Sequence, residues 1–164
     1  MKVFRIEGDL FDIEHRFHRN LDPSLVLQSV RNPKTLKLLG KGFHFHTYLL
    51  NMRDFSYGLS IARNGIWDGE GHRLDQWFQG LEMLSTIDHP LIPPIVSGNV
   101  EEQIYYITPY CNQNLTLSKN SLGKELANLE AKLDQRGLWV DDYWQVKSLE
   151  GQPFVIDWSD LRMR

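Results

Sequence analysis

Two glycines flank a lysine in the stretch GKGFHF, Gly40 to Phe45, which joins the strand-like segments LKLL and TYLL. A backbone without side chains can approach phosphate oxygens closely and turn its N–H groups toward them. The same two glycines would also suit the turn of a β-hairpin. Taken alone the pair favours a turn, so a phosphate-binding interpretation needs support from the rest of the chain.

Histidine and cysteine offer a different chemistry, metal binding or nucleophilic attack. His44 and His46 alternate along a predicted strand, so both imidazoles would face one side of it. No third ligand stands nearby in the sequence, and we expect surface histidines rather than a metal pair. Cys111 is the only cysteine and has no neighbouring histidine, so we expect an inert, packed thiol.

The helices that must position these residues follow from apolar periodicity and capping residues. Residues 1–36 predict an irregular lead-in that carries one helix, which Asp22 caps. Residues 72–87, HRLDQWFQGLEMLSTI, have apolar side chains at helical spacing and predict an amphipathic helix. The leucines of SLGKELANLEAKLDQRG predict another helix, which Gly137 ends in a left-handed conformation.

Short apolar runs predict the strands. The first two form a hairpin around the glycines within residues 36–50, and SYGLSIAR, residues 56–63, supplies the third. Two more are expected near 95–97 and 103–108, while LWV and PFVIDW predict short strands close to the C-terminus. The pattern therefore predicts an α+β fold with a five-stranded antiparallel sheet, followed by a smaller portion.

Length and composition limit the class of protein. With 164 residues, of which 41% are hydrophobic, the chain can bury the core of one domain. The formal net charge of -3 gives no broad positive field, so nucleic acid is not an expected partner. A single cysteine, and a start without the layout of a signal peptide, predict a cytoplasmic protein. No apolar run approaches the roughly 20 residues that cross a bilayer, so no membrane association is expected.

Several motifs follow one another in a recognisable order: LGKGFHFHTYL, SIAR, LEMLSTIDHPLIPPIVSG, YYITPY, a leucine-striped helix ending at QRGLWVDD, and FVIDWSD. Over residues 37–160 this series resembles the protein-kinase-like family, including the bacterial small-molecule and lipopolysaccharide kinases. The resemblance implies an N-lobe-like portion at 37–110, with an antiparallel sheet and one helix against it. Residues 111–164 would then form a reduced C-lobe, and residues 1–36 an N-terminal extension.

In the glycine loop, Gly40 and Gly42 match the family's first two glycines, and Phe45 matches the aromatic residue that follows. His46 stands at the position of the third glycine, so the loop is bulkier than in the family. Lys41 could supply positive charge from within the loop, as in the with-no-lysine kinases. A lysine in a hairpin turn is more often only solvated, and that alternative stays open.

The family's ion pair between a third-strand lysine and a helix glutamate has no match here. Anchored on residues 88–90, Asp-His-Pro, the preceding helix places Gly80 at the glutamate. The lysine position falls on Ser60 in one alignment of GLSIAR and on Arg63 in the other, and Ser60 is favoured. The hinge segment corresponds to YYITPY. The nucleotide-binding residues that the resemblance implies are Gly40, Lys41, Gly42, Phe45, Ser60, Arg63, Thr108 and Tyr110.

The segment LDQRGLWVDDYW resembles the family's catalytic loop, with Val140 in place of the usual histidine. Asp142 then stands at the catalytic Asp, which accepts or orients the proton of the substrate hydroxyl. Without that match, Asp142 would be interpreted as a solvated turn carboxylate next to Asp141. Lys147 occupies the place of a metal-binding Asn, and Gln145 is the amide that could replace it.

The segment FVIDWSD resembles the metal-binding motif that bacterial kinase-like proteins often write as IDW or IDF. Asp157 takes the position of the Mg²⁺ ligand that bridges nucleotide phosphates. Around these motifs lie Trp139, Trp144 and Trp158, which we expect to fill a small core rather than stack on a base.

Together the matches predict a minimal kinase-like protein that binds ATP and Mg²⁺ and is a phosphotransferase with weak or no activity. The alternative is a pseudokinase, a regulatory or binding module with another protein as partner. Phosphoryl transfer depends on positioned charge, so each missing group would lower its rate strongly. A third interpretation is a small α+β protein without a nucleotide role.

Overall fold

A computed structural model describes residues 10–63, 74–113, 119–140 and 145–164. The helices in these ranges are α1 (Leu10–Asn20), α2 (Pro23–Arg31), α3 (Leu74–Leu84) and α4 (Lys119–Gln135), with a 3-10 turn at Pro33–Thr35. The strands are β1 (Lys37–Lys41), β2 (Phe45–Met52), β3 (Phe55–Ala62), β4 (Val96–Val100), β5 (Gln103–Pro109), β6 (Leu138–Val140), β7 (Val146–Leu149), β8 (Gln152–Val155) and β9 (Leu161–Met163). None of the described helices is long and apolar enough to span a membrane.

The chain divides into two compact units. The first, which we call the sheet unit, holds residues 11–63 and 94–110. The second, the C-terminal unit, holds the described residues of 74–93 and 111–164.

The sheet unit is built on five antiparallel strands in the order β1-β2-β3-β5-β4. The predicted hairpin around the glycines is confirmed, and Phe45 pairs with Ala62 at the far end of β2 and β3. One face of β2 and β3 is a buried apolar layer that consists of Leu50, Met52, Phe55, Tyr57 and Leu59. Alternation along the strands brings these side chains to one side of the sheet.

Two helices, rather than the predicted single one, precede the sheet. The sequence prediction missed α1, whose Ile13 and Phe17 lie four residues apart and are fully buried. Phe17 packs on the buried layer, because its ring contacts Phe55 and Tyr57 and its carbonyl accepts a 2.6 Å hydrogen bond from the Tyr57 hydroxyl. Leu10, Ile13 and Phe17 stand at i, i+3 and i+7 in the sequence, which is the spacing of one apolar helix face, so the signal was present and was overlooked.

The helix predicted after Asp22 is confirmed as α2. The Asp22 carboxylate accepts a 3.0 Å hydrogen bond from the Ser24 amide, which satisfies one of the donors at the helix start. Val26 and Val30 are the buried apolar residues of the helix. The helix ends before Pro33, where the 3-10 turn begins.

The C-terminal unit contains α3, α4 and two small antiparallel pairs. The predicted strands LWV and PFVIDW do not pair with one another, since β6 pairs with β9 and β8 pairs with β7. Both β7 and β9 were missed by the sequence prediction. In β7 the buried residue is Ser148, so an apolar alternation could not reveal the strand. Gly137 has a φ of 72° and ends α4 in the predicted left-handed conformation.

Helix α3 packs on the β6–β9 pair through a glycine. A Cβ atom built on Gly80 would lie 3.4 to 3.6 Å from side-chain atoms of Met163, Leu138 and Leu161. Position 80, which the resemblance places at the family's glutamate, therefore faces apolar side chains of the same unit. Its assignment to that position stays a prediction.

Candidate functional site

The hairpin between β1 and β2 requires one of its two glycines. The Gly42 amide donates a 2.8 Å hydrogen bond to the Phe45 carbonyl, and a Cβ at Gly42 would lie only 3.1 Å from that oxygen. The turn itself therefore accounts for Gly42. Gly40 lies after an irregularity in the β1–β2 pairing, and no described atom is within 4 Å of its Cβ position. Only Gly40 is left without a steric reason inside the described protein.

Positive charge surrounds this turn. Arg63 follows β3, and its guanidinium donates a 3.1 Å hydrogen bond to the Phe43 carbonyl and a longer one, 3.5 Å, to the Gly42 carbonyl. The Arg63 amide also donates to the His44 carbonyl at 2.8 Å. Arg63 thus fixes the tip of the hairpin. Lys41 is exposed and makes no ion pair within the described ranges.

His46, opposite Lys41 in the β1–β2 register, is the third basic side chain of the turn. Burial, and after it the positive charges of Arg63 and Lys41, lowers the pKa of His46 below its ordinary value. The imidazole is therefore neutral at pH 7. The charge offered to an anion at this turn comes from lysine and arginine.

The face of the sheet opposite the buried apolar layer carries small side chains. Ser60 is 4% exposed, and its hydroxyl lies 2.9 Å from that of Thr47 across the β2–β3 register. A Cβ built on Gly58 would lie 3.7 Å from Thr108 Oγ1 and 3.8 Å from Thr47 Cγ2. We call these four residues, Thr47, Gly58, Ser60 and Thr108, the small-residue face. The sequence prediction missed Thr47, although alternation from Phe45 already placed it on this side of β2.

The two residues proposed for the lysine position have different surroundings. Ser60 lies in the middle of β3 with its hydroxyl bonded to Thr47, whereas Arg63 lies beyond the strand and reaches the turn carbonyls. Ser60 shares the small-residue face with Thr108, which is 8% exposed. Which of the two matches the family's lysine stays a prediction.

Aromatic side chains frame the same region. Phe45 is buried and meets the Tyr106 ring edge-on, with centroids 5.1 Å apart. The exposed aromatic residue of the turn is instead Phe43, at 69%, which sequence reasoning did not single out. Tyr110 follows β5, is partly exposed, and donates its amide to the Ser56 carbonyl at 3.0 Å.

In the C-terminal unit, Asp157 follows β8 in a fixed turn. Its Oδ1 atom accepts hydrogen bonds from the Ser159 amide at 3.0 Å and the Ser159 hydroxyl at 2.7 Å. The next residue, Trp158, is fully buried, and its indole donates to the Val155 carbonyl at 3.1 Å. The Trp158 carbonyl accepts a 2.9 Å bond from the Trp77 indole. The backbone around the carboxylate is therefore held on both sides.

Gln145 precedes β7 and lies beside the Asp157 turn, because β7 pairs with β8. The Ile156 amide donates a 3.0 Å hydrogen bond to the Gln145 carbonyl, which extends the β7–β8 pairing to the residue before Asp157. A carboxylate and an amide oxygen are the hard ligands that Mg²⁺ prefers, and Mg²⁺ usually keeps several waters. These two residues fit that ion in their chemistry. The described ranges contain no group of three His, Cys, Asp or Glu side chains placed to hold a metal.

Residues 141–144 of the predicted catalytic segment, which include Asp141, Asp142 and Trp144, lie outside the described residues. The other two tryptophans of the expected small core, Trp139 and Trp158, are described. Trp158 fills the core as predicted, and the Trp139 ring lies 5.7 Å from the Arg162 guanidinium.

The remaining candidates are buried. His44 is 5% exposed, so the expectation of a surface histidine is wrong at this position, because the turn folds that side chain inward. Burial raises the pKa of the Cys111 thiol to about 12, which keeps it protonated and unreactive at neutral pH.

Comparison with solved structures identifies the fold. A mutant of the PknI kinase domain of Mycobacterium tuberculosis matches with a TM-score of 0.53 and 17% identity, over 75% of this chain and 57% of that one. A double mutant of the same domain gives a TM-score of 0.52 at 17% identity, over 75% and 56%. A further structure of it gives 0.51 at 15% identity, over 76% and 57%.

The chain has the protein-kinase-like fold. It spans little more than half the length of the kinase domains that it matches. No protein-family model matches the sequence, and no curated protein matches it.

Proposed function

We propose that this kinase-like protein binds ATP and that its phosphotransferase activity is weak or absent. The observation that carries the proposal is the Ser60–Thr47 pair, because a buried hydroxyl bonded at 2.9 Å occupies the favoured place of the family's lysine. The sheet keeps the fold of a nucleotide-binding lobe, while this position offers no cation. Binding without efficient transfer is what such a combination supports.

For the nucleotide, the sheet unit supplies the contacts. Gly40 leaves room for a phosphate to approach the backbone, and Lys41 supplies an ammonium without a competing acid within the described ranges. The small-residue face carries no large side chain on its four residues, and we propose that the base of the nucleotide lies against it. The full set proposed to contact ATP is Gly40, Lys41, Gly42, Phe45, Ser60, Arg63, Thr108 and Tyr110.

For the metal, Asp157 and Gln145 are the proposed ligands, and Asp142 is the proposed base. Bound Mg²⁺ would neutralise charge on the phosphate oxygens. The two Ser159 hydrogen bonds hold Asp157 Oδ1 in place, so the carboxylate does not need to reorganise to accept a cation. Gln145 is exposed beside the β7–β8 pair and can present its amide oxygen.

The alternative function is a pseudokinase that acts by binding another protein. The observation that favours it is exposed apolar surface on the glycine hairpin, where Phe43 is 69% exposed and Leu38 is 39% exposed. Aromatic side chains of this kind are enriched in protein interfaces. In this case the kinase fold would serve as a scaffold, with or without nucleotide.

Calorimetric titration with ATP, with and without Mg²⁺, tests the proposal. Asp157→Asn tests the metal role more specifically than Asp157→Ala. The amide oxygen of asparagine can still accept both Ser159 hydrogen bonds, so only the charge is lost. We expect Mg²⁺ to tighten ATP binding about tenfold in the wild type and to have little effect in Asp157→Asn. Ser159→Ala, which keeps the carboxylate and the hydrogen bond from the Ser159 amide, is the comparison variant and should retain most of the Mg²⁺ effect.

The outcome of the titration distinguishes the three functional interpretations. If no heat of binding is measured at millimolar ATP, the nucleotide role is rejected. The interpretation that remains is a protein of this fold without a nucleotide role. The pseudokinase would be favoured if the ATP affinity is the same with and without Mg²⁺ and in Asp157→Asn, and if no phosphate is released from ATP over hours. Slow phosphate release that Asp157→Asn abolishes would support the phosphotransferase.

A further inference from the structure

A cavity of about 380 Å³ lies in the sheet unit, between α2, the 3-10 turn and the β1–β2 hairpin. Pockets that hold small molecules typically have volumes of about 300–1,000 Å³. Its apolar lining consists of Leu25, Leu36, Leu49 and Leu50. None of the residues proposed to contact ATP or Mg²⁺ lines it, so it is a separate site.

One face of α2 supplies the polar lining. Gln28, Ser29 and Asn32 follow Leu25 at the spacing of neighbours on a helix surface. Ser29 is 5% exposed, yet its hydroxyl has no hydrogen-bond partner among the described residues. The oxygen atom itself is not fully buried, so water in the cavity can bond to it when no ligand is present. The Ser29 hydroxyl lines the cavity and is therefore available to a bound molecule.

The charged side chain that lines the cavity is positive. Among the described residues that line it, Lys37 is the only charged one and none is acidic, and Lys37 makes no ion pair within the described part of the chain. The Asn32 amide donates to the Gln28 carbonyl at 3.0 Å as the last bond of α2, so the carbonyls after it keep a partial negative charge, which is smaller than the full charge of Lys37. An anion is favoured over a cation here.

We propose that this cavity binds a small amphiphilic carboxylate. The apolar body of the ligand lies against the four leucines, and its carboxylate accepts hydrogen bonds from the Lys37 ammonium and the side-chain amide group of Asn32. Ser29 donates to the same ligand in place of water. The site is independent of the nucleotide function, because it uses a different part of the sheet unit.

The test uses the full chain labelled with ¹⁵N and two probes that differ only in charge, 4-phenylbutyrate and 4-phenylbutyramide. Amide shifts should move saturably at α2 and β1, and the acid should bind about fivefold more tightly than the amide, as expected for one partly exposed ion pair. Lys37→Gln should remove that preference. Lys34→Gln is the matched control, because Lys34 is an exposed lysine of the adjacent 3-10 turn that does not line the cavity.

Leu25→Trp gives a second, independent test, since a large side chain placed in the cavity should abolish binding of both probes. Three results would overturn the proposal. They are shifts that do not saturate at millimolar probe, shifts centred away from α2 and β1, and equal affinity of acid and amide for the wild type.

Discussion

Replacing Gly80 with alanine should stabilise the protein. A Cβ at this position would lie 3.4 Å from Met163 Cγ, 3.5 Å from Leu138 Cδ2 and 3.6 Å from Leu161 Cδ2, which are ordinary van der Waals distances. Glycine inside a helix is about 1 kcal/mol less favourable than alanine, and a buried methyl group adds about 0.8 kcal/mol. We therefore expect Gly80→Ala to raise the free energy of unfolding by about 1 to 2 kcal/mol.

The matched control is Gly123→Ala in α4. Gly123 is exposed and no described atom lies within 4 Å of its Cβ position, so only the helix propensity changes. That variant should gain about 1 kcal/mol or less. Urea unfolding, followed by tryptophan fluorescence, measures both variants, and the excess of Gly80→Ala over Gly123→Ala reports the contact with β6 and β9.

Replacing Gly80 with glutamate, the residue that the family has at this position in our alignment, should lower the free energy of unfolding. Gly80→Glu would place the first carbons of a glutamate side chain against Leu138, Leu161 and Met163 and would bring a charge into an apolar contact. The loss should be about 3 kcal/mol or more. The reasoning fails if Gly80→Glu is as stable as the wild type, or if Gly80→Ala destabilises, because position 80 would then not face these side chains.

Three further predictions concern single contacts. Asp22→Ala should lower the free energy of unfolding by about 1 kcal/mol through loss of the bond to the Ser24 amide, and Asp22→Ser should recover most of it in the same urea assay. Burial raises the pKa of Tyr57 to about 12, while its hydroxyl donates to Phe17. Since the folded pKa exceeds the ordinary value of about 10, this contribution is complete below pH 10 and is lost as pH rises toward 12, so the wild type should lose stability there relative to Tyr57→Phe. Cys111, with a pKa of about 12, should react with iodoacetamide at pH 8 only when urea unfolds the protein, and rapid native labelling would contradict its burial.

The sequence predicted those parts of the fold that depend on local signals. The glycine hairpin, the cap at Asp22 and the left-handed end at Gly137 each follow from a residue type at a defined position. The strands β7 and β9 escaped prediction because each is only three or four residues long and has at most one buried apolar residue. Their stability comes from partners distant in sequence, which periodicity does not contain.

For the candidate site, the sequence suggested residues but not their contacts. Ser60 and Arg63 were alternatives for one position, and the partner of each depends on strand register and on the course of the turn. The Thr47 hydroxyl reaches Ser60 only because β2 and β3 pair in that register, and Arg63 reaches the Phe43 carbonyl only because β3 ends beside the turn. Motif order carried neither fact.

Some residues of the glycine hairpin are explained by the structure of the turn, and others are accessible to a ligand. Gly42 is explained by its own turn, since its amide and the space at its Cα are both used by the Phe45 carbonyl. Arg63 is largely explained too, because it bonds to the carbonyls of that turn. What the turn does not explain is Gly40, because no described atom lies within 4 Å of its Cβ position and a side chain would fit there. A phosphate-binding role for this loop therefore depends on Gly40 and the neighbouring Lys41, and less on the glycine pair as such.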